Sequence, residues 1–272
     1  MHEFTIVDAF TSRPFSGNPA AVCILPPGEV VQPEWMQQVA AELNLSETVF
    51  LAPSDDGSWG IRWFTPTVEV DLCGHATVAS AHVLWQSGRI ELNEVARFAS
   101  ASGPLEARRD GDLIELDFPA RPVEQAEAVA VLEGLGVGSA AYVGSGPLGY
   151  LVEVRGERIV RGLRPDFRRL GEIPTHGFIV TSRADEGGAA DVVTRCFWPS
   201  AGVDEDPVTG SSACALGPHW SKRLGTERFT NIQASKRGGT MRITMRGDRV
   251  GIAGEAVTVM TARMPGAPVA GA

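Results

Sequence analysis

Arg62-Trp63-Phe64-Thr65-Pro66, followed after three residues by Val70-Asp71, is met again as Arg195-Cys196-Phe197-Trp198-Pro199, followed after three residues by Val203-Asp204. Both arginines and both aspartates stand 133 residues apart, close to half of a 272-residue chain. Each copy then reaches a glycine with small neighbours and an apolar, alanine-bearing stretch: Gly74-His75-Ala76-Thr77 in the first, Gly210-Ser211-Ser212-Ala213 in the second. The second copy carries three extra residues, which this spacing puts between the aspartate and the glycine. A whole-domain duplication is the simplest explanation. It predicts two related halves that share one active site through matched glycine turns.

Outward from the repeat, Phe4 to Phe10 and Ala20 to Leu25 read as strands, with the turn-rich Ser12-Arg13-Pro14-Phe15-Ser16-Gly17-Asn18-Pro19 between them. Pro33 suits the first position of a helix, and Met36, Val39, Ala40 and Leu43 follow at helical spacing. That helix ends near Asn44 and strand resumes at Thr48 to Leu51, so Leu45-Ser46-Glu47 falls in the tight joint between them. Ile61 to Phe64 is a further strand and His75 to Trp85 a buried helix. Ala96 to Ser100, Leu105 to Arg108 and Asp112 to Phe118 read as a meander. In the second half the pattern predicts helix over Val123 to Leu135, a polar helix over Arg158 to Leu170 and a helix over Ser211 to Leu224, with strands between and after them. Strands dominate, and each half holds one alanine-rich central helix. The expected class is α+β: two similar lobes of mixed or antiparallel sheet wrapped around a helix. Pro119-Ala120-Arg121-Pro122 marks the joint, giving a first lobe over 1–120, a second over 121–255, and a last strand within 256–272 that can complete the first. The tail from Pro265 to Ala272 is small and apolar and reads as frayed.

A hydrophobic fraction of 43% and a charged fraction of 21% are those of a globular chain with a sizeable core. The net charge of −9 argues against nucleic-acid or anionic-membrane partners, because phosphate binding needs a basic surface. It leaves room for a small anionic substrate. Cys23, Cys73, Cys196 and Cys214 are scattered without a CxxC pair, so reduced thiols in a cytosol are expected. Met1-His2-Glu3-Phe4 has no basic region or apolar run and reads as sequence entering a strand. No stretch approaches about 18 apolar residues, so no membrane span is expected. No GxGxxG or Walker-type loop offers a nucleotide cofactor its usual cradle.

The chemistry-bearing residues cluster at the repeat and at the helix–strand joint. A helix start offers unpaired N–H groups and the positive end of a dipole, and small residues let an anion come close. Gly74-His75-Ala76 and Gly210-Ser211-Ser212 fit that description, and equally fit plain capping. Glu47 lies among Leu45, Thr48, Val49 and Phe50. A carboxylate in an apolar pocket suits proton transfer near neutral pH, and otherwise serves as a cap. His75 at the helix start is expected neutral, since the dipole disfavours its protonated form. Asp206 precedes the second turn, as an acid/base or as a helix-leading acid. Cys73 could gain thiolate character at the helix start. A symmetric two-thiol racemase wants a second cysteine before Gly210, where Thr209 stands, and Cys214 reads as core. His2, His75, His82, His176 and His219 are dispersed, so no metal site is expected.

Four pieces now stand in order: Val7-Asp8-Ala9-Phe10 with Gly17-Asn18-Pro19; Asn44-Leu45-Ser46-Glu47; Cys73-Gly74-His75-Ala76-Thr77; and Glu205-Asp206-Pro207-Val208-Thr209-Gly210-Ser211. Nearly end to end, the chain resembles the PhzF family, the phenazine-biosynthesis-like proteins with the diaminopimelate-epimerase-like fold. The resemblance implies two pseudo-symmetric lobes, each a β-barrel-like sheet around a central helix, with the active site between them. It implies a homodimer and no metal or organic cofactor. It also implies proton-shuffling chemistry, the phenazine enzyme moving a hydrogen within the ring system of a dihydro-hydroxyanthranilate. Glu47 matches the family's general acid/base, with His75 and Asp206 beside it. Asn18, Ser46, Cys73, Gly74, Gly210 and Ser211 match substrate-contact positions. Cys73 is a departure, because the phenazine enzyme has no cysteine before its Gly-His. It occupies the place of one of the two catalytic cysteines of the related epimerases.

The expected function is a cytoplasmic, cofactor-independent isomerase moving a proton on a small carboxylate-containing metabolite through Glu47. The alternatives are a racemase or epimerase using Cys73 as a base, and a non-catalytic member that binds a small molecule.

Overall fold

The structure, a computed structural model, describes residues 1–266. Residues 267–272, and with them most of the tail singled out above, lie outside the described residues. The chain divides into two compact units: Met1–Asp117 with the chain from Ala253 onward, and Phe118–Ile252. The first carries β1 (His2–Ala9), β2 (Asn18–Ile24), α1 (Pro33–Leu43), β3 (Glu47–Pro53), β4 (Trp59–Phe64), β5 (Glu69–Val70), α2 (Gly74–Gln86), β6 (Ala96–Ser100), β7 (Gly103–Asp110) and β8 (Leu113–Pro119). The second carries β9 (Glu124–Gln125), α3 (Val129–Leu135), β10 (Tyr142–Gly146), β11 (Gly149–Glu153), α4 (Glu157–Gly162), α5 (Phe167–Gly171), β12 (Phe178–Arg183), β13 (Val192–Phe197), α6 (Ala213–Leu224), β14 (Arg228–Gln233), β15 (Gly239–Arg246) and β16 (Arg249–Gly254). β17 (Ala256–Met264) then belongs to the first unit again.

The duplication shows in the strand senses. In the first unit β1 runs antiparallel to β2, β2 parallel to β3, β3 antiparallel to β4, β4 parallel to β6 and β6 antiparallel to β7. In the second unit β10 runs antiparallel to β11, β11 parallel to β12, β12 antiparallel to β13, β13 parallel to β14 and β14 antiparallel to β15. The order of senses is the same. A parallel step needs a crossover connection, and helices supply it at matching places: α1 and α2 in the first unit, α4 with α5 and then α6 in the second. β17 extends the first sheet along the free side of β1, and β8 extends it beyond β7. The class is therefore α+β with a mixed sheet, as the sequence pattern predicts.

α2 is buried from His75 to Trp85 except at the half-buried His82, because it packs on β1, β2, β3, β7 and β17 at once. Its alanines and Ser80 let those strands approach closely. α1 is one-faced instead. Trp35, Met36, Val39 and Ala40 meet Phe4, Phe50 and Phe64, and Phe50 contacts the other two phenylalanines edge-on. Burying each large side chain contributes about 1.5–3 kcal/mol. The second unit builds its own core from Val131, Leu135, Val152, Val180, Val193 and Phe197. Among the described residues no helix is long and apolar enough to cross a membrane.

Three helix boundaries differ from the sequence pattern. Val123 to Leu135 begins as the short strand β9, paired with β10, and turns helical only at Val129. Arg158 to Leu170 is two helices, since Pro165 has no N–H for the ladder and disfavours helix in the residue before it. Ser211 to Leu224 starts as a 3-10 turn, Gly210–Ser212, before α6.

The arginines of the repeat do the same job in each unit. Arg62 grips Glu69 through two bonds of 2.7 Å and stands 5.2 Å from the centre of the Phe64 ring. Arg195 grips Glu205 at 2.6 and 2.9 Å and stands 5.2 Å from the Phe197 ring. Glu205 lies 136 residues after Glu69, and Gly210 lies 136 after Gly74. The three extra residues therefore fall before Glu205, in the loop with the 3-10 turn Pro199–Ala201, and not after Asp204.

Candidate active site

Glu47 is aimed by its strand. It opens β3, and strand alternation puts it on the same face as Val49 and Leu51, both fully buried. The preceding turn delivers it there. α1 ends at Asn44 in the left-handed region (φ 49°), and its N–H closes on Ala40 O at 3.0 Å, which leaves only Leu45 and Ser46 before the strand. Asn18 opens β2, after Gly17. Gly17 has φ 65°, and a Cβ there would lie 2.2 Å from Ala9 O, so only glycine admits this turn. Cys73 is the extended residue before α2, and His75 is the second residue of that helix. The residue before the helix, Cys73, makes no side-chain capping bond of good geometry, and the first-turn N–H groups of a helix have no partner within it.

These pieces meet at His75. Its Nε2 lies 2.8 Å from Glu47 Oε2. Its Nδ1 lies 3.1 Å from Asn18 Nδ2 and 3.4 Å from Cys73 Sγ. The imidazole, the asparagine and the thiol are all buried, and Glu47 is mostly so, with 15% of its side chain exposed. The Nε2–Oε2 contact is close but not aligned as a hydrogen bond, and both atoms are shut off from water. Each therefore has hydrogen-bonding capacity that this arrangement leaves unused. A neutral ring accepts from Asn18 at Nδ1. A protonated ring donates from that nitrogen to sulfur and holds its other N–H beside the carboxylate.

The charges are set by this contact. Burial works against an imidazolium at His75, but the Cys73 sulfur and the Glu47 carboxylate outweigh it and hold the pKa well above the usual histidine range. This runs against the expectation of a neutral ring: the Cys73 sulfur and the carboxylate at 2.8 Å both favour the protonated form. Burial, and then the Glu47 charge, push the Cys73 thiol up, against the pull of His75. The helix start thus does not make Cys73 a thiolate. The ligand atoms of Glu47, Cys73 and His75 all lie within 4.8 Å of one another. The dispersed histidine spacing hides this cluster, because it depends on three separate elements being folded together.

In the second unit Asp206 is held through its backbone and its side chain. Its N–H donates to Cys196 O at 3.1 Å, and its Oδ2 accepts from Thr209 Oγ1 at 2.5 Å. Gln233 Nε2 donates to its carbonyl at 2.7 Å, while Gln233 Oε1 accepts from Thr209 N–H at 2.9 Å. Glu205, its chain neighbour, is fixed by Arg195. Thr209 stands 136 residues after Cys73 and Ser211 the same distance after His75. The second turn therefore presents hydroxyls where the first presents a thiol and an imidazole. Gly210 and Ser212 are buried, and Ser211 is half-buried. Cys196 lies beneath this turn, and burial pushes its thiol up to about 12. Cys214 is buried in α6. Gln233 has no signal in the sequence, since it reaches Asp206 from a strand 27 residues further on.

Of the residues singled out by sequence, the structure joins Asn18, Glu47, Cys73 and His75 by direct contact, with Ser46 and Gly74 as their chain neighbours. Asp206, Gly210 and Ser211 form a second group in the other unit.

The stretch that holds both groups matches known proteins. The family described as "Phenazine biosynthesis-like protein" matches residues 7–262. An uncharacterized isomerase of Halalkalibacterium halodurans is 47% identical over 261 residues, covering 95% of this chain and 97% of that protein. An uncharacterized isomerase of Pseudomonas aeruginosa is also 47% identical, covering 96% and 98%. A crystal structure of a PhzF-family phenazine biosynthesis protein from Enterococcus faecalis superposes with a TM-score of 0.90 at 36% identity, covering 97% of this chain and 99% of that one. A probable proline racemase from Agrobacterium radiobacter, 14% identical, shares the fold with a TM-score of 0.65, over 100% of this chain and 95% of that one.

Proposed function

Because this chain belongs to the phenazine biosynthesis-like protein family, we propose that it moves a proton on a small carboxylate-bearing metabolite, with Glu47 as general acid and base. The protein is an isomerase, and its relatives and fold neighbours include epimerases and racemases. The observation that carries the reading is the buried, unaligned approach of Glu47 Oε2 to His75 Nε2 at 2.8 Å. A substrate hydrogen brought to the exposed part of the Glu47 carboxylate meets a base backed by the imidazole.

The substrate proton must be acidified by a neighbouring carbonyl or conjugated system, since a carboxylate is a weak base. Glu47 takes the proton and returns it to another atom or to the opposite face. The imidazolium of His75 stabilises the charge that develops. The first turn of α2 suits a substrate carboxylate. These acid–base groups suffice for the step, so the reading calls for no organic cofactor. Asp206, Gly210 and Ser211 keep the expectation of a share in substrate recognition, and each is testable alone. We also infer a homodimer, which light scattering checks, and a reducing cytosol, which four free, buried cysteines support.

The test is a screen of small amino and hydroxy acids in deuterium oxide by mass spectrometry, with wild type and Glu47→Gln side by side. Loss of a general base lowers the rate about 10²–10⁴-fold. The variant should lose deuterium incorporation to that extent while still binding substrate, and undiminished exchange rejects Glu47 as the base. One observation favours a second reading, an epimerase in which Cys73 is one of two bases: its sulfur is 3.4 Å from His75. Thr209, standing where a partner thiol would be, speaks against it. Cys73→Ser decides, since an unchanged rate removes the thiol from the chemistry.

A further inference from the structure

His75 bridges two unlike groups, and the spacing on its Nδ1 side is informative. A zinc-like cation holds sulfur at about 2.3 Å and imidazole nitrogen at about 2.0–2.1 Å, so a tetrahedral angle sets the two ligands about 3.5 Å apart. Cys73 Sγ and His75 Nδ1 are 3.4 Å apart. The other ring nitrogen stands 2.8 Å from the Glu47 carboxylate. A metal-bound histidine keeps its outer carboxylate on that side, and Glu47 stands within reach of that role once the contact is brought into line as a hydrogen bond. The amide of Asn18, 3.1 Å from Nδ1, brings an oxygen close when it rotates. Thiolate with imidazole selects borderline and soft cations over magnesium or calcium.

We propose that Cys73 and His75 form a binding site for a single thiophilic divalent cation of the Zn²⁺ or Cd²⁺ kind, with Glu47 as the outer carboxylate and Asn18 beside the open positions. Binding forms one metal–sulfur and one metal–nitrogen bond and displaces two protons to buffer, the thiol's and the one on Nδ1 of the imidazolium, and nothing is oxidised or reduced. A bound cation takes His75 and Glu47 out of proton transfer and so inhibits. That corollary rests on the isomerase reading, while the binding itself does not.

The experiment is calorimetric titration of the chelator-stripped full chain with CdCl₂, with the sulfur-to-cadmium ultraviolet band as a second readout and MgCl₂ as the control. One Cd²⁺ per chain should bind with growth of the band, and Mg²⁺ should give no heat. Cys73→Ser keeps the other three thiols and should lose both signals. Glu47→Gln should keep the band but weaken binding about 10–100-fold. Circular dichroism checks that each variant is folded, and Cys73→Ala serves if the serine variant is not. Cd²⁺ binding that survives unchanged without the Cys73 thiol, or its absence from wild type, overturns the proposal. Failure here leaves the deuterium result for Glu47 untouched, and failure there leaves this titration untouched.

Discussion

The two arginines of the repeat make the same contacts at different depths, and stability should separate them. Arg195 has 11% of its side chain exposed and Glu205 21%, and its Nη1 also donates to Leu163 O at 3.0 Å and Val160 O at 3.4 Å. Arg195→Ala leaves a mostly buried carboxylate without its donor, while Leu163 O keeps Arg164 Nη1 at 3.0 Å and Val160 O keeps the Leu163 N–H at 3.4 Å. Breaking a buried pair by removing one partner costs about 3–5 kcal/mol. Arg62 and Glu69 are 37% and 40% exposed. Their pair contributes about 0.2–1 kcal/mol, and the Phe64 contact adds about 0.5–1 kcal/mol. At about 3 °C per kcal/mol for a unit of this size, Arg195→Ala should lower the transition of its own unit by roughly 9–15 °C, and Arg62→Ala by roughly 2–6 °C. Urea denaturation of a double-mutant cycle at each site measures the coupling directly. Arg195→Ala with Glu205→Ala should recover part of the loss, because no orphan charge remains. Equal coupling energies at the two sites would refute the claim that burial, and not the shared motif, sets the cost.

His75 makes stability depend on pH. Its folded pKa stands above the unfolded value of about 6.5, so its stabilisation is complete below about pH 6.5 and is lost as pH rises through the folded value. The melting temperature of wild type should fall over that window above neutrality. His75→Gln should flatten the fall, and superimposable profiles would count against the Glu47–His75 pair. Gln233→Ala orphans the Thr209 N–H and the Asp206 carbonyl, at a cost of about 1–3 kcal/mol. Hydrogen exchange read by mass spectrometry should speed up over residues 206–212, and unchanged protection there would show that Gln233 is not the brace of that turn.

Much of this protein was legible in one dimension because its information is periodic or repeated. The 133-residue offset announced a duplication, and apolar spacing placed α1, α2 and the strands to either side of them. The joint at Leu45-Ser46-Glu47 was readable because the helix ends at Asn44 and the apolar run from Val49 to Leu51 marks a strand, while the direction in which the carboxylate faces was not. Sequence alone also marked Glu47, Cys73 and His75 as chemical candidates. What it left undecided were quantities that depend on contacts between distant elements. The charge on His75 is one: a helix dipole read from sequence argues for a neutral ring, whereas the Cys73 sulfur and a carboxylate delivered from β3 favour the protonated one. The state of the Cys73 thiol follows from burial and then from the same carboxylate. The position of the three extra residues, the brace of Gln233 on Asp206 and the unequal depth of Arg62 and Arg195 belong to this class as well. Local propensity and hydrophobic period act over a few residues and are written along the chain, whereas Coulomb interactions and desolvation act through space between groups that only the folded sheet brings within a few ångströms.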